Sequence, residues 1–238
     1  MPPADTPTLL LLPGMACDAA VWREQRPALA ALGPTDVALP HLDAAAHSLP
    51  AMAERLLAAH PGRLALAGCS MGAMLALHCW RLAPERIAGL ALLGTTARPD
   101  TPEMQALRTE AIGLFAQGRM AEVLRANAMF AFARTHALRL HDDYLAMVQR
   151  GGADSLIRQN RAVMAREDLR PVLPTVRCPT LVVGGLDDQL TPPECQREIA
   201  AAIAGAELHL LPDCGHMLTW EQPAAVSAHL QRWRQRLA

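Results

Sequence analysis

The stretch Leu64-Ala-Leu-Ala-Gly-Cys-Ser-Met-Gly-Ala-Met-Leu-Ala-Leu77 decides the fold. Its apolar start predicts a strand, the glycines on both sides of Ser70 predict a sharp turn, and the residues after Gly72 strongly favour a helix. Glycines at these two places allow a cramped backbone, because neither brings a Cβ into the strand or the helix. We therefore expect the Ser70 hydroxyl to project alone above the edge of a sheet.

Two backbone N–H groups are candidates for binding a developing oxyanion beside Ser70. The N–H of Met71 opens the predicted helix, so it lacks an intrahelical acceptor and lies at the positive end of the helix dipole. A second donor is expected from the turn after the first strand, where Pro13-Gly14 leads to the N–H of Met15. The plain alternatives are an ordinary strand-to-helix turn and an ordinary Pro-Gly turn.

Composition excludes several classes of protein. The 238 residues are 51% hydrophobic and 19% charged, which is typical of a globular chain that buries a large core. The formal net charge of −1, with no basic block, argues against a nucleic-acid partner. All 22 basic residues are arginine, and the lack of lysine excludes Schiff-base chemistry, lysine-bound pyridoxal phosphate and a P-loop.

Cysteine spacing and the N-terminal segment bear on the cellular compartment. The six cysteines form no C-x-x-C pair and lie in or beside apolar segments, so we expect buried free thiols. Residues 1–7 lack a basic start, and the apolar run over residues 9–12 is too short for a signal peptide or a membrane span. A cytoplasmic protein without a membrane partner is expected.

Short apolar runs alternate with helical patterns along most of the chain. This alternation predicts an α/β fold, in which a parallel sheet is covered by helices on both faces and ligands bind beyond the carboxyl ends of the strands. Strands are predicted over residues 8–12, 36–39, 64–67, 87–93, 179–184 and 207–211.

The pattern of apolar residues changes between residues 98 and 174, where helical spacing replaces strand-like runs. We interpret residues 98–174 as a helical cap and residues 1–97 and 175–238 as the core. An arginine of the cap that reaches inward would hold a substrate carboxylate, although solvated helix faces explain most of its arginines. The candidate substrate-binding residues are Met74, Phe130, Arg125 and Arg161. Apolar cap side chains suited to either pocket lining or core packing are Met104, Phe115, Met120, Met129, Phe130, Phe132 and Met147.

A serine hydroxyl needs a base before it becomes a good nucleophile. His216 follows the last predicted strand, in Pro212-Asp-Cys-Gly-His216, and so belongs to the same sheet edge as Ser70. The other histidines, including His41 and His47 in a predicted loop, have ordinary structural explanations. His216 is therefore the candidate base.

The imidazole in turn needs a carboxylate that fixes its tautomer and stabilises its charged form. The loop after the preceding strand contains Asp187 and Asp188, and only one of two adjacent loop residues can face His216. Asp100, which follows the strand at residues 87–93, is a weaker candidate. Asp187 is otherwise a solvated turn residue.

Together these residues resemble the α/β-hydrolase superfamily, specifically its small single-cap bacterial esterases and enol-lactonases, over almost the whole chain. The stretch Gly68-Cys-Ser-Met-Gly72 resembles the family's nucleophile elbow, and Met15 matches the residue whose amide helps to form the oxyanion hole. The spacing Gly185-x-x-Asp188-x-x-Thr-Pro192 resembles the acid loop and favours Asp188. The order Ser70, Asp188, His216 is the order of the family's triad.

The end of the chain adds to the resemblance, and its beginning departs from it. Gly215-His216, with Glu221 and Pro223 downstream, resembles the family's histidine loop. Proline replaces the usual histidine before Gly14, which keeps the amide donor but removes a side chain that often braces the loop. The first parallel strand comes almost at once, so we expect about six strands without the family's N-terminal antiparallel pair.

The resemblance implies an enzyme in which Ser70 attacks an ester, thioester or lactone carbonyl, His216 relays the proton, and no metal or cofactor takes part. Carbon–carbon bond hydrolysis or a lyase reaction on the same triad is an alternative, because the cap decides which substrate enters. A ligand receptor on this fold is another. A metal hydrolase would need clustered ligands, and His136 and His141 are poorly spaced for one helix face. The expected partner is a small ester or lactone, and the expected state is a monomer or homodimer.

Overall fold

The computed structural model describes residues 6–39 and 48–237. The predictions for residues 1–5, for His41 and for His47 lie outside this part of the chain. Within it, six strands form one parallel sheet in the order β2-β1-β3-β4-β5-β6, which confirms the predicted sheet. The strands are β1 (Thr8–Leu12), β2 (Thr35–Val37), β3 (Leu64–Cys69), β4 (Ile87–Leu93), β5 (Thr180–Gly185) and β6 (Glu207–Leu211).

Nine helices accompany the sheet in the described residues, and none of them has both the length and the apolar character needed to cross a membrane. They are α1 (Arg26–Ala30), α2 (Leu49–Ala59), α3 (Met71–Leu82), α4 (Pro102–Ala116), α5 (Met120–Asn127), α6 (Arg134–Met164), α7 (Pro193–Ala202), α8 (Leu218–Glu221) and α9 (Pro223–Gln235).

The two faces of the sheet are both buried, which explains why its strands are continuously apolar. Successive side chains of β1 point to opposite faces, so that Leu10 and Leu12 join one core cluster and Leu9 and Leu11 join the other. Helices α2, α3 and α7 cover the first face, and α1, α8 and α9 cover the second. The central strand β3 therefore delivers Ser70 at the edge of a rigid, fully packed layer.

Three strands differ from the sequence prediction at their ends. Strand β5 covers Thr180–Gly185 instead of residues 179–184. Strand β3 extends to Cys69, because Gly68 and Cys69 still pair with Leu92 and Leu93 of β4. Strand β2 covers residues 35–37 instead of 36–39, because it is an edge strand that pairs only with residues 9–11 of β1. A local apolar run does not show which neighbouring strand residues will pair with it, so these ends of β2 and β3 could not be predicted.

The segment between β4 and β5 contains α4, α5 and α6 and no strand. Helix α6 is interrupted at Gly152, whose backbone has a φ of +73° and a ψ of 165°. Phe115, Val148 and Leu156 form a small core cluster of their own between these helices. The separation of the chain into a core and a cap remains a prediction, and the helical content of this segment agrees with it.

Some apolar side chains of this segment point outward. Met129 is 63% exposed and Phe130 is 41% exposed, so neither packs in the core. Both lie in a short 3-10 turn over Ala128–Ala131, in which the two small residues at its ends are the buried ones. Residues three apart share one face of a 3-10 turn, and here the alanines occupy the inner face.

Candidate active site

Ser70 connects β3 to α3 in a strained conformation, with a φ of +51° and a ψ of −114°. A Cβ at Gly68 would lie 2.3 Å from the backbone nitrogen of Ala73, and a Cβ at Gly72 would lie 2.2 Å from the carbonyl oxygen of Leu12. Real atoms do not approach so closely. Both glycines are therefore required for the strand and helix to meet at this corner.

Backbone hydrogen bonds hold Ser70 in this conformation. Its N–H donates to the carbonyl oxygen of Leu93 at 2.8 Å, and its own carbonyl accepts from the Thr95 hydroxyl at 2.9 Å. Thr95 itself is fully buried. The Ser70 side chain makes no capping bond to α3, which leaves the hydroxyl available to a substrate. Strain maintained by its surroundings in this way is typical of functional sites.

His216 and Asp188 lie on the loops after β6 and β5, and their side chains meet. Nδ1 of His216 is 2.9 Å from Oδ2 of Asp188. The other carboxylate oxygen, Oδ1, accepts the backbone N–H groups of Leu190 and Thr191, each at 2.9 Å. The Asp188 side chain is completely buried, whereas 12% of the His216 side chain is exposed. This contact makes Nδ1 the protonated nitrogen and leaves Nε2 able to accept a proton.

In this pair the pKa of His216 is raised and the pKa of Asp188 is lowered. Burial opposes the charged imidazolium and lowers the pKa of His216, but the Asp188 carboxylate, with Glu221 behind it, outweighs burial and raises this pKa above its usual value. Burial alone would raise the pKa of Asp188, but the imidazolium of His216 and the hydrogen bonds to the carboxylate hold this pKa below its usual value. The pair therefore favours the ionised carboxylate beside the histidine.

The two other acid candidates occupy different positions. Asp187 is exposed, and it exchanges backbone and side-chain hydrogen bonds with Cys214 in the histidine loop. The side chain of Asp100 is buried, but its carboxylate pairs with Arg108 and Arg166 and not with His216. Of the three aspartates, only Asp188 contacts the imidazole.

Ser70 and His216 line one cavity of about 450 Å³ between the carboxyl ends of the strands and helices α4, α5 and α6. The hydrogen bonds formed within residues 6–39 and 48–237 do not include one between the Ser70 hydroxyl and the imidazole of His216. Such bonds are often long in free enzymes and tighten when a substrate is bound. The structure therefore brings the two side chains to one cavity without joining them.

The candidate oxyanion donors lie next to Ser70. Met71 is the first residue of α3, so its N–H has no acceptor within the helix. A Cβ at Gly14 would lie 3.4 Å from the Cβ of Ser70, which shows how closely the turn after β1 approaches. The N–H of Ala16 donates to the Gln159 side chain of α6 at 2.7 Å, whereas the N–H of Met15 has no acceptor in the described part of the chain.

Three of the four candidate substrate-binding residues do not line the cavity. Met74 does, whereas Phe130, Arg125 and Arg161 are exposed at other positions of the helical segment. Helical spacing does not determine which face of a helix turns toward the strand ends, and this expectation was wrong for these three residues. The arginines that line the cavity beside Asp100 are instead the half-buried Arg108 and the buried Arg166.

Glu221 is a structural residue of the site to which the sequence assigned no role. It is 3% exposed, and its carboxylate accepts three backbone N–H groups, from Ala133 at 2.7 Å, Gly215 at 2.9 Å and Met217 at 3.0 Å. Burial raises the pKa of Glu221, and these bonds oppose the rise only in part. The glutamate thereby fixes the backbone on both sides of His216. The sequence signal for Glu221 was its place downstream of Gly215-His216, in the stretch that resembles the family's histidine loop.

One group among the described residues has ligand atoms close enough together for a metal ion: Glu207, His209 and His229, on β6 and α9. None of the three lines the cavity. Arg236 contacts the Glu207 carboxylate at 2.9 Å, and an Arg232 nitrogen lies 2.7 Å from Nδ1 of His229. These two cations would oppose a divalent ion. This group gives no support to a metal ion at the cavity.

The strained serine follows a central parallel strand, and the histidine and the aspartate lie on the loops after the last two strands. This arrangement is typical of α/β hydrolases. The chain belongs to the Alpha/beta hydrolase family, whose model matches residues 9–229. The family match covers the strands, the helical segment and the loops that carry Ser70, Asp188 and His216.

The relatives agree with this assignment. The "Putative carbamate hydrolase RutD" of Klebsiella pneumoniae (strain 342) is 30% identical over 232 residues, which cover 88% of this chain and 84% of the relative. A thermophilic esterase from Thermogutta terrifontis, solved with malate bound, is similar with a TM-score of 0.86 and 26% identity, over 98% of this chain and 92% of that one. The enol-lactonase from Burkholderia xenovorans LB400 has a TM-score of 0.85 at 23% identity, over 99% and 94% of the two chains, which shows a common fold. These findings confirm the resemblance to the superfamily and support hydrolytic activity.

Proposed function

We propose that this protein is a serine hydrolase that cleaves a carboxylic ester, lactone or thioester of a small molecule through an acyl-enzyme intermediate. One observation carries the proposal: Ser70 and His216 line the same cavity, and Nδ1 of His216 is bonded at 2.9 Å to a buried aspartate. A nucleophile, a base and a group that orients the base are the parts that acyl transfer needs.

In the first half of the reaction, Oγ of Ser70 attacks the carbonyl carbon while its proton passes to Nε2 of His216. Asp188 stabilises the imidazolium and keeps Nδ1 protonated. The N–H groups of Met15 and Met71 donate to the oxyanion of the tetrahedral intermediate. The intermediate collapses, the leaving alcohol or thiol takes the proton from His216, and the acyl group remains esterified to Ser70.

In the second half, water attacks the acyl-enzyme. His216 takes a proton from the water, the same N–H groups bind the second oxyanion, and the acid leaves as Oγ of Ser70 recovers its proton. A lactone has no separate leaving alcohol, so its ring-opened hydroxyacyl chain stays esterified to Ser70 until this step. The helices between β4 and β5 act as the cap that decides which molecules reach Ser70.

The cavity supports a small substrate, since about 450 Å³ lies within the range typical of small-molecule sites. Most of its wall is apolar, with side chains such as Met74, Phe115 and Leu124. Hydrolysis of a carbamate is a second candidate, favoured by the name of the Klebsiella pneumoniae relative. Attack on a carbamate carbonyl needs the same serine, histidine and oxyanion donors.

A hydrolysis panel tests the proposal. Purified protein is assayed on 4-nitrophenyl esters of increasing chain length, on an enol-lactone, on a thioester and on an aryl carbamate. Ser70→Ala and His216→Ala are assayed on the best substrate, and each is expected to lower kcat by about 10⁴-fold or more. A folded Ser70→Ala variant that keeps most of the activity would overturn the proposal, and a wild-type protein that binds these compounds without turnover would favour the receptor alternative.

A further inference from the structure

The cavity contains a second polar group, apart from Ser70 and His216. Asp100 pairs with Nε of Arg108 at 2.8 Å and with Nη1 of Arg166 at 2.7 Å. The side chains of Asp100 and Arg166 are only 2% and 6% exposed, and that of Arg108 is 20% exposed. All three residues line the cavity, so this ion cluster is part of the wall that a substrate meets.

The ion cluster has more positive than negative charge. Two guanidinium groups share the one carboxylate of Asp100, and no other carboxylate lines the cavity within the described part of the chain. Arg98 lines the cavity as well, but its guanidinium pairs with Glu198 outside it. One positive charge is therefore left without a partner at a largely buried place, where an unpaired charge is costly. An anionic ligand would remove this cost.

The guanidinium of Arg108 is held in a fixed orientation. Besides Asp100, its Nη1 group donates to Oδ1 of Asn160 at 3.0 Å, and Nδ2 of the buried Asn160 donates in turn to the carbonyl oxygen of Leu156 at 2.9 Å. Among the hydrogen bonds of the described residues, none uses the Nη2 group of Arg108. The guanidinium is held through Nε and Nη1, and the Nη2 group is left to donate to an anion such as a carboxylate.

Arg166 is held in the same way by the backbone. Its Nε group donates to the carbonyl oxygen of Arg98 at 2.9 Å and its Nη1 group donates to that of Val163 at 3.0 Å. These bonds keep the second cation close to Asp100. With both guanidinium groups on one carboxylate, the ion cluster keeps one net positive charge for a ligand.

Arg108 also lies close to the proposed reaction centre. Its Nη1 group is 3.9 Å from Sδ of Met15, the residue whose N–H is the candidate oxyanion donor beside Ser70. An anion bound by Arg108 would thus be separated from the reacting carbonyl by little more than the Met15 side chain. Apolar residues such as Phe115 and Leu124 form much of the remaining wall.

We propose that Arg108, oriented by Asp100 and Asn160, binds a carboxylate of the substrate, so that the enzyme acts on esters or lactones that carry a free acid a few bonds from the carbonyl that is cleaved. This inference rests on the proposed function of the same cavity. One unmatched positive charge fits a monoanion better than a phosphate dianion. The acid group would position the substrate before attack, which is how binding energy remote from the reacting atoms accelerates a reaction.

A matched pair of substrates tests this inference. The acyl chains of 4-nitrophenyl hydrogen glutarate and 4-nitrophenyl valerate have the same number of carbons and differ in the terminal carboxylate. The wild-type protein should show a kcat/KM about tenfold or more higher for the glutarate ester, since a hydrogen bond to a charged group gives at least this factor. Equal rates, or a preference for valerate, would overturn the inference.

Variants show whether Arg108 is responsible. Arg108→Met should raise KM for the glutarate ester by about 10- to 100-fold with a smaller change in kcat, and should lower the preference in kcat/KM for the glutarate over the valerate ester by a similar factor. Arg108→Lys keeps the charge without the fork and should give an intermediate KM. The matched control is Arg119→Met, because Arg119 is an exposed arginine of the same helical segment that does not line the cavity. Equal losses on both esters in Arg108→Met would assign Arg108 a structural role only.

A binding measurement separates this inference from the proposed function. Calorimetry with Ser70→Ala should detect monomethyl glutarate and not dimethyl glutarate, with affinity about tenfold or more lower in Ser70→Ala/Arg108→Met. If the wild-type protein hydrolyses valerate but Ser70→Ala does not discriminate between the two glutarates, the carboxylate site is refuted and the hydrolase stands. If no ester is hydrolysed but the discrimination persists, the hydrolase is refuted and the carboxylate site stands.

Discussion

The carboxylate of Glu221 accepts the backbone N–H of Ala133 at 2.7 Å. This bond joins the loop that carries His216 to the start of α6, because the same carboxylate also accepts the N–H groups of Gly215 and Met217. One buried side chain thus fixes both the histidine loop and the helical segment that faces it.

Glu221→Gln should lower both stability and activity. A glutamine presents an amide NH₂ group where the backbone N–H groups need an acceptor, so the free energy of unfolding should fall by about 1–3 kcal/mol. The kcat of ester hydrolysis should fall with it, since His216 loses its support. Urea denaturation and steady-state kinetics measure the two effects. The control is Glu85→Gln, at an exposed position, and an unchanged unfolding curve for Glu221→Gln would contradict this prediction.

Gly72→Ala should be strongly destabilising. The new Cβ would lie 2.2 Å from the carbonyl oxygen of Leu12, so β1 and α3 would have to separate at the corner that carries Ser70. We expect a loss of unfolding free energy of about 3 kcal/mol or more, as in other severe steric or backbone conflicts.

Gly113→Ala is the matched control for this substitution. Gly113 lies inside α4 and nothing lies within 4 Å of the Cβ that it would carry. Alanine should therefore stabilise the protein by up to about 1 kcal/mol through helix propensity. Thermal and urea denaturation measure both variants, and similar effects of the two alanines would show that the close approach at Gly72 is not decisive.

The dependence of activity on pH should reflect the His216–Asp188 pair. His216 must be neutral to accept a proton, and its pKa is raised above the ordinary value of about 6.5. The kcat/KM should therefore rise with pH, with a midpoint above 6.5. In Asp188→Asn the neighbouring charge is lost while burial remains, so the midpoint should move to lower pH and kcat should fall by about 10⁴-fold. A midpoint that is the same in both proteins would show that Asp188 does not control the base.

Cys69 should not contribute to the chemistry, although it precedes Ser70 and lines the cavity. Burial, with a smaller effect of Cys17, raises the pKa of its thiol well above the usual value, so little of the reactive thiolate forms near neutral pH. Cys69→Ala should keep most of the esterase activity. Iodoacetamide should react slowly with the wild-type protein, and molecules that do react at Cys69 should turn over more slowly because the adduct crowds the cavity. A folded but inactive Cys69→Ala would contradict the assignment of Ser70 as the nucleophile.

The strands and the elements around Ser70 could be predicted because local sequence determines them. A parallel strand buried on both faces is a continuous apolar run, and the close packing at Gly68 and Gly72 leaves a spacing of glycines that is visible without a structure. The order of the elements then assigns the loops after β5 and β6 to the sheet edge that carries Ser70. The choice between Asp187 and Asp188 needed the family's spacing, and the structure agrees with Asp188 through its contact with His216.

The wall of the cavity could not be predicted in the same way. Arg108 and Arg166 come from the first helix of the helical segment and from the residues after its last helix, and only the packing of these helices brings them together around Asp100. The expectation from the sequence was an arginine of the helical segment that reaches inward. It named Arg125 and Arg161 because composition does not show how far each helix is rotated about its axis. An ion pair between distant residues leaves no periodic signal.

Labelling with a fluorophosphonate, followed by intact-mass measurement and peptide mapping, tests most directly whether Ser70 is an activated nucleophile. The account predicts one adduct per molecule of wild-type protein, mapped to Ser70, absent from Ser70→Ala and formed far more slowly in His216→Ala. No adduct on folded wild-type protein, or an adduct that persists in Ser70→Ala, would contradict it.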